Sequence, residues 1–426
     1  MSERLAHAVF RARPSPAGLC LASCALVALA ACAESESGST RLAVADPATL
    51  PVDQRTFSDL TDFVQGYWRT PIPLQGPAPE GFNPLEASFE PSTCGTCHPK
   101  QYEDWQTTIH SAAYSPGLAG QLVNWERDSY ANVRVCLACH TPLSEQSAQV
   151  PDTAGQLVGN PYFDRSLRDQ GMVCAGCHFR AWRKYGPPRR DGSLEPSPEG
   201  SPHGGVTRTP FFEDSRFCKG CHQFQQPAAN GKPLENTYEE WRNSKYPVLE
   251  MQCQNCHMPD RRHLWRGIHD STMVAGGVTI ELVQARAGEP VTLRVTNSGT
   301  GHRFPTYVTP EVRVRIDFLD ADWQPLPGGN VVLIARKVAA GAGGWQELSD
   351  TRLPPDSTAT LTAEPGPDAR YARGRVIVLP SNFYEAVFEG MLSGALSDTS
   401  RALIAQAHRR ASSSAYSIFD DTLRIR

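Results

Sequence analysis

The pattern Cys-x-x-Cys-His occurs five times in this chain of 426 residues. The five copies start 35 to 44 residues apart and are joined by dissimilar sequences. They consist of Cys94, Cys97 and His98; Cys136, Cys139 and His140; Cys174, Cys177 and His178; Cys218, Cys221 and His222; and Cys253, Cys256 and His257. In all five copies a histidine follows the second cysteine. Only 12 residues of the whole chain are histidine, so this recurrence needs a chemical explanation.

Two thiols and an adjacent imidazole at this spacing are the attachment pattern of a c-type haem. The thiols bond covalently to the porphyrin, and the histidine ligates the iron from the proximal side. Paired cysteines also build zinc sites and disulfides, but neither requires a histidine after each pair. The pattern therefore favours five covalently attached haem c groups, with ten cysteines as attachment points and five proximal histidines. The chain has few residues for each large cofactor, which predicts short helices and long loops around the haems.

The first 31 residues predict an export signal. Basic residues precede a short apolar segment that ends in small residues and is too short for a membrane span. The stretch "LAAC" that ends at Cys32 resembles a bacterial lipobox, which makes Cys32 the expected lipidation site; a plain signal peptide cut in "ALAAC" is the alternative. The small, polar residues that follow suit a tether. Ala33 favours the outer membrane, facing the periplasm or the cell surface, over the inner membrane.

Charge gives little information about partners. The chain has 41 Lys and Arg residues against 45 Asp and Glu residues, a net charge of −4, and nothing in it suggests nucleic acid. Haem propionates would make the assembled surface more acidic. Redox partners with basic patches, such as other cytochromes or a membrane electron-transfer complex, would complement such a surface.

Composition and periodicity predict a multidomain chain: an irregular, mostly helix-and-loop multihaem cytochrome domain followed by an antiparallel β-sandwich. Residues 55–68 have helical spacing of apolar residues, and the proline-rich residues 69–91 are expected to form an extended surface connector. The predicted segments are 1–31 (signal peptide), 32–90 (tether, short helix and linker), 91–272 (pentahaem domain) and 273–426 (β-sandwich).

Period-2 alternation between glycine- and proline-containing turns predicts the strands of the second domain. The predicted strands are 278–285, 290–297, 311–320, 331–338, 358–364 and 374–379, with 416–426 as a last strand. Residues 398–411 are predicted to form a helix that interrupts them.

The iron of each haem has a second, distal face, and its ligand separates electron carriers from enzymes. Six histidines lie outside the motifs and the leader, and we expect His408 to face solvent on the predicted helix. The candidate distal ligands are His110, His203, His263, His269 and His302. Five candidates for five irons favour bis-histidine ligation throughout. For each of them the alternative is an ordinary surface or loop histidine, and His302 would have to cross from the second domain.

Four stretches resemble multihaem cytochromes related to the tetrahaem cytochrome that accepts electrons from hydroxylamine oxidoreductase, in particular those with a carboxy-terminal immunoglobulin-like domain. The stretches are "CGTCHPKQYEDWQTTIH", "SRFCKGCH", "TYEEWRNSKYPVLEMQCQNCHMPDRRHLWRGIH" and "NSGTGHRFPT", within residues 90 to 320. The resemblance implies distal ligation by His110, His203, His263 and His269, and an immunoglobulin-like second domain.

The expected function is electron transfer by a membrane-anchored periplasmic or outer-membrane relay. An enzyme is disfavoured, because ammonia-forming nitrite reductases of the wider group attach the catalytic haem through Cys-x-x-Cys-Lys, whereas Lys219 lies inside a Cys-x-x-Cys-His motif. One alternative is an oxidoreductase of a small nitrogen or sulfur compound with one five-coordinate haem, at the iron that His302 or His203 would otherwise ligate. Another alternative is a structural subunit of a larger electron conduit.

Overall fold

The computed structural model describes residues 42–44 and 60–426, apart from 124, 126–129, 196, 199, 228–229 and 342–343. Residues 41–426 belong to one compact unit. The predicted signal peptide and Cys32 lie outside the described residues. Within the described ranges, no helix combines the length and apolarity that crossing a membrane requires.

The part of the chain before residue 278 is built of short helices joined by loops, as the motif spacing predicts. Each Cys-x-x-Cys-His motif lies in a helix or overlaps the end of one. The α-helices are Leu60–Tyr67, Pro91–Gly95, Pro99–Gln106, Pro116–Leu122, Tyr130–His140, Arg165–Asp169, Cys174–His178, Arg216–His222, Thr237–Arg242, Cys253–His257 and Ser271–Gly277. The strands in this part are β1 (Gln149–Pro151), β2 (Leu157–Gly159), β3 (Phe179–Arg180), β4 (Arg183–Gly186), β5 (Thr207–Arg208), β6 (Phe224–Pro227) and β7 (Pro233–Glu235).

The proline-rich connector is buried over one stretch and exposed over others. Ile72 and Leu74 are fully buried, and the Ile72 N–H donates to the Pro142 carbonyl oxygen at 2.9 Å. Ile72 packs in one apolar cluster with Leu143 and Leu167. Residues 79–81 and 83–85 are exposed, and residues 84–87 form a turn. The predicted extended surface connector is therefore wrong around Ile72 and Leu74, because alternate apolar residues of an extended segment can enter a core that short helices leave open.

The chain after residue 278 is rich in antiparallel β-structure. Its strands are β8 (Thr279–Gln284), β9 (Val291–Thr296), β10 (Glu311–Leu319), β11 (Pro325–Gly341), β12 (Gly344–Asp350), β13 (Thr358–Ala363), β14 (Tyr371–Leu379) and β15 (Tyr416–Arg424). One sheet has the strand order β12-β11-β10-β14-β15, and the other has the order β13-β9-β8. All the predicted strands are present. Strand β12 was missed, because it is a largely exposed edge strand without apolar alternation.

Both sheets contribute to one apolar core. In β9 and β14 every second side chain is buried, so each strand presents one apolar face. The core includes Val291, Leu293 and Val295 of one sheet and Val312, Val314, Ile316, Val376 and Val378 of the other. The period-2 pattern in the sequence thus reflects this shared core.

Two helices between β14 and β15, Asn382–Leu392 and Asp398–Ser412, pack against the helix Pro116–Leu122 in the part of the chain before residue 278. Ile404 is fully buried and lies against Gly120, where an added Cβ would come within 2.9 Å of the Ile404 side chain. The Ser400 hydroxyl donates to the Gly120 carbonyl oxygen at 2.6 Å. The second helix matches its prediction, whereas the first was not predicted.

A buried group of ion pairs joins strand β12 and the residues after it to the β6–β7 hairpin. Arg352 is fully buried and donates to Asp350 at 2.8 Å, and its guanidinium lies 3.0 Å from the Glu240 carboxylate. Lys232 also pairs with Asp350. Burial alone would raise the pKa of Asp350, but the hydrogen bonds and charges of Arg352 and Lys232 outweigh it and hold the pKa well below the ordinary value of 3.8.

We expect Asp350→Asn to lower the free energy of unfolding by about 2 kcal/mol at neutral pH, since two charged partners lose their acceptor. A pKa lowered by folding stabilises the protein above the ordinary value of 3.8 and loses that effect as the pH falls below it. The difference between variant and wild type should therefore shrink in acid. Denaturant unfolding at several pH values measures this, with the exposed Asp368→Asn as control; an equal difference at every pH would contradict the ion-pair explanation.

Candidate haem-ligating site

Histidine rings of the motifs face histidine rings from elsewhere in the chain at a nearly constant spacing. Metal–imidazole bonds are about 2 Å long, so rings on opposite sides of one iron have their centres about 6 Å apart. The observed pairs are His110 and His222 at 6.2 Å, His178 and His263 at 6.2 Å, and His257 and His302 at 6.4 Å between ring centres. Each pair joins one motif histidine to one predicted distal histidine, with the spacing that a shared iron requires.

Hydrogen bonds fix which ring nitrogen is available. A main-chain carbonyl oxygen can only accept, so the Nδ1 atom beside it carries the proton and Nε2 keeps its lone pair for a metal. Among motif histidines these contacts are His140 with Ala113 O at 2.7 Å, His178 with Tyr185 O at 2.8 Å and His257 with Arg266 O at 2.7 Å. Among distal histidines they are His263 with Arg261 O at 3.2 Å and His302 with Arg303 O at 2.9 Å.

Burial keeps these imidazoles neutral, which is the form that binds a metal. Removal from water lowers the pKa of His110 to about 3 and the pKa of His178 and His257 to about 4. The neighbouring histidines lower these pKa values further. At neutral pH these rings are therefore already in the neutral form that binds a metal.

Thiols of different motifs are neighbours that shift one another's pKa. The contacts are Cys94 with Cys174, Cys139 with Cys221, and Cys218 with Cys253. Attachment thiols mark the edge of a porphyrin, so these contacts bring the edges of the first and third, the second and fourth, and the fourth and fifth sites together. The fourth motif contacts two others and forms a junction.

The first motif is near the loop histidine His203. Burial lowers the pKa of His203 most and the charge of Lys184 lowers it further, whereas Glu86 raises it and His98 adds a smaller lowering. His203 has a positive φ of 62° and is followed by two glycines. Within the described chain, its Nδ1 atom is buried and has no hydrogen-bond partner. The structure therefore places His203 in the electrostatic surroundings of His98.

The second motif differs from the third, fourth and fifth. In the described part of the chain, no histidine ring faces His140 at the spacing of the three pairs. His269 is partly exposed, and its partial removal from water lowers its pKa. Its assignment as a distal ligand stays a prediction. His408, which we expected to face solvent, is half-buried on the helix Asp398–Ser412.

Several residues that hold the ligands were not predicted. The Trp265 indole lies between the rings of His110 and His263, with centres 4.9 and 5.0 Å away. The Asp104 carboxylate accepts from Arg262 and from the His263 N–H, which fixes the start of the loop that carries His263. Only the short spacing between the histidines on either side of Trp265 hinted at its role.

The proximal His222 has side-chain partners at Nδ1 instead of a carbonyl oxygen. Its Nδ1 lies 3.0 Å from Glu235 Oε1 and 2.6 Å from the Tyr307 hydroxyl. Burial alone would lower the pKa of His222, but the hydrogen bond and charge of Glu235 raise it. Neither Glu235 nor Tyr307 belongs to a motif that would reveal this contact.

These residues fit c-type haem. The paired imidazoles would hold the iron of a haem, and the two thiols of each motif would attach the porphyrin covalently. Two protein ligands for each iron would suit a cofactor that brings its own nitrogens. In the described ranges, no three or more His, Cys, Asp or Glu side chains gather to hold a bare metal ion.

The model of the family described as cytochrome c554 and c-prime matches residues 93–159 of this chain. Among solved structures, a penta-heme cytochrome c552 from Thermochromatium tepidum is similar, with a TM-score of 0.56 and 18% sequence identity. The alignment covers 80% of this chain and 100% of that chain. Comparison with curated protein sequences gave no match. The chain therefore shares the fold of that cytochrome.

We expect His302→Ala to convert one low-spin ferric signal into a high-spin signal, because His257 would be left as the single imidazole on its iron. Low-temperature electron paramagnetic resonance of the oxidised protein measures this. The control is His408→Ala, which should leave the spectrum unchanged, since His408 faces no motif ring in the described chain. An unaltered low-spin spectrum in His302→Ala would show that His302 is not a ligand.

Proposed function

We propose that this chain transfers electrons through five covalently attached c-type haems, ligated mainly by two histidines each. The match of residues 93–159 to a cytochrome family model and the fold shared with a penta-heme cytochrome support a multihaem c-type cytochrome and electron transfer. Five complete motifs support the count of five. Bound haem would supply a one-electron iron couple, and the protein residues would position it and set its potential.

The observation that carries the proposal is the pairing of motif and distal histidine rings at 6.2 to 6.4 Å. An iron held on both faces has no position left for a substrate, so such sites suit electron transfer rather than catalysis. The thiol contacts between motifs support the same function, because adjoining cofactor edges give electrons a short path. The contacts link the second, fourth and fifth motifs, and separately the first and third.

The third and fourth motifs connect these two groups. Cys177 lies close enough to Cys218 and Cys221 to raise the pKa of both thiols by its charge, after the larger effects of hydrogen bonding and burial. All five motifs therefore belong to one array, with the fourth at its centre. We propose that electrons cross the chain through this centre on their way between redox protein partners, such as other cytochromes.

A second candidate function is supported by His140. With no histidine ring described opposite it, the iron that His140 would hold is the place where a small nitrogen or sulfur compound could bind. The chain would then be an oxidoreductase of such a compound, with the other sites delivering electrons. The sequence had pointed instead to the irons of His302 and His203, but His302 has a partner ring, and His203 has His98 nearby.

Electron paramagnetic resonance of the oxidised protein and carbon monoxide binding to the reduced protein separate the two functions. If His269 completes the second site, the wild type shows only low-spin signals and binds no carbon monoxide, and His269→Ala gains both a high-spin signal and carbon monoxide binding. If the site is open, the wild type already shows both and His269→Ala changes neither. Fewer than five haems per chain would contradict the pentahaem proposal itself.

We propose that export and a lipid anchor on Cys32 hold the protein at the outer membrane, facing the periplasm or the cell surface. Cys32 and the residues that would tether it lie outside the described part of the chain, so the sequence supports this proposal. A multiply acylated cysteine anchors a domain without a membrane-spanning helix.

Cys32→Ala should move the protein from the membrane to the soluble fraction, since the acceptor of the lipid is lost. Cys24→Ala in the leader is the matched control and should leave it in the membrane. Immunodetection after fractionation measures the distribution. A Cys32→Ala protein that stays with the membrane would exclude lipidation as the anchor.

We propose a domain organisation in which 91–272 is the cytochrome domain and 273–426 is an immunoglobulin-like sandwich. The core that the two antiparallel sheets share supports a sandwich. An experimental structure in which the sheets do not face each other would reject it. The sandwich contributes His302 to the paired rings, so its place in the function is to complete the fifth site.

A further inference from the structure

The fourth motif differs from the others in what holds its proximal ring. Nδ1 of His222 lies 3.0 Å from a carboxylate oxygen of Glu235 and 2.6 Å from the Tyr307 hydroxyl. The three other motif histidines with a described Nδ1 contact, His140, His178 and His257, lie against main-chain carbonyl oxygens. A carboxylate carries a full negative charge and accepts the stronger hydrogen bond.

The two partners come from different parts of the chain. Glu235 ends strand β7, and Tyr307 lies between β9 and β10, with a positive φ of 69° and its ring parallel to the His222 ring within 11°. The Tyr307 hydroxyl oxygen and the Glu235 carboxylate both lie within hydrogen-bonding distance of the same Nδ1 atom, so they compete for its N–H. The O–H of Tyr307 is then free to donate to that carboxylate.

We propose that Glu235 is a positioning residue that makes the proximal imidazole of the fourth haem electron-rich, and that Tyr307 moderates this effect by sharing the Glu235 carboxylate. Strong acceptance at Nδ1 raises the basicity of a ligating imidazole. An electron-rich ligand stabilises the ferric state. The fourth haem therefore has a lower midpoint potential than a haem with the same ligands whose proximal Nδ1 donates to a main-chain carbonyl oxygen. This inference rests on the proposed cytochrome function.

The position of Glu235 gives the effect a wider consequence. Glu235 holds the proximal ring of the fourth motif, which is the junction of the array. The thiols of the fourth motif contact the second and fifth motifs. A low potential at this junction makes it the last site to be filled when electrons enter the array.

The test is a redox titration of the full-length, haem-loaded protein, with each low-spin ferric signal followed by electron paramagnetic resonance. Glu235→Gln keeps the size of the side chain and removes the charge, and it should shift one midpoint potential upward. Tyr307→Phe removes the O–H donor from the carboxylate, and it should shift the same midpoint potential downward. Opposite signs distinguish this arrangement from structural damage, which would move both variants in one direction or abolish the signal.

Glu239→Gln is the matched control. Glu239 is also close to the fourth motif, 3.8 Å from Lys219, but its carboxylate does not contact a histidine ring in the described chain. If Glu239→Gln shifts the midpoint potential as much as Glu235→Gln does, the loss of any nearby negative charge explains the effect. That result would overturn the inference. Unchanged potentials in Glu235→Gln and Tyr307→Phe would also overturn it.

Failure of the proposed function is distinguishable from these outcomes. It would appear in the wild type as haem content below five per chain or as the lack of low-spin signals. Unchanged potentials in variants that retain five haems leave electron transfer intact and reject only the role of Glu235 and Tyr307.

Discussion

The hydrogen bond at Nδ1 of the motif histidines is the interaction on which the rest of the helical part, before residue 278, depends. An imidazole can direct Nε2 at a metal only if the tautomer and the ring plane are fixed, and a carbonyl oxygen at Nδ1 fixes both. The chain supplies these carbonyls from loops that follow or precede the motifs, such as Ala113 for His140 and Arg266 for His257. The loops that supply these carbonyl oxygens must therefore keep a defined backbone position, although they have no regular secondary structure. This explains why residues outside the motifs contribute to the site: Asp104 is buried, and Trp265 lies between two histidine rings.

The β-rich part, after residue 278, also supplies side chains that surround the motif histidines. It provides His302 opposite His257 and the Tyr307 hydroxyl beside His222, and the buried Arg352 anchors it to Glu240. Removing one partner of a buried ion pair leaves an unpaired charge, so this attachment resists separation. A β-rich part that only covered the helical part would contact no more than its outer surface. Here it reaches two of the proximal rings, so its position bears directly on their environment.

Sequence predicted the elements that follow from strong local patterns. The motifs, the alternating strands and the helix Asp398–Ser412 all have such patterns, and each is present in the structure. The burial of the connector at Ile72 was not predictable, because it depends on how much room the helices leave. The role of Glu235 was equally hidden, since an acidic residue at the end of a strand usually faces solvent. The pairing of rings could not be predicted either, because five histidines were candidate distal ligands and only folding decides which motif histidine each of them faces.

The helices Asn382–Leu392 and Asp398–Ser412 have a consequence for the time order of folding. The Ser400 hydroxyl bonds to the Gly120 carbonyl across 280 positions of the chain. Such distant contacts must pay the entropy of closing a very long loop before they gain any stability, and they form slowly. The helix Pro116–Leu122 is therefore covered only after the helix Asp398–Ser412 has been synthesised. Until then the first and second motifs, which lie on either side of Pro116–Leu122, belong to unfinished structure, which leaves their thiols accessible for covalent chemistry.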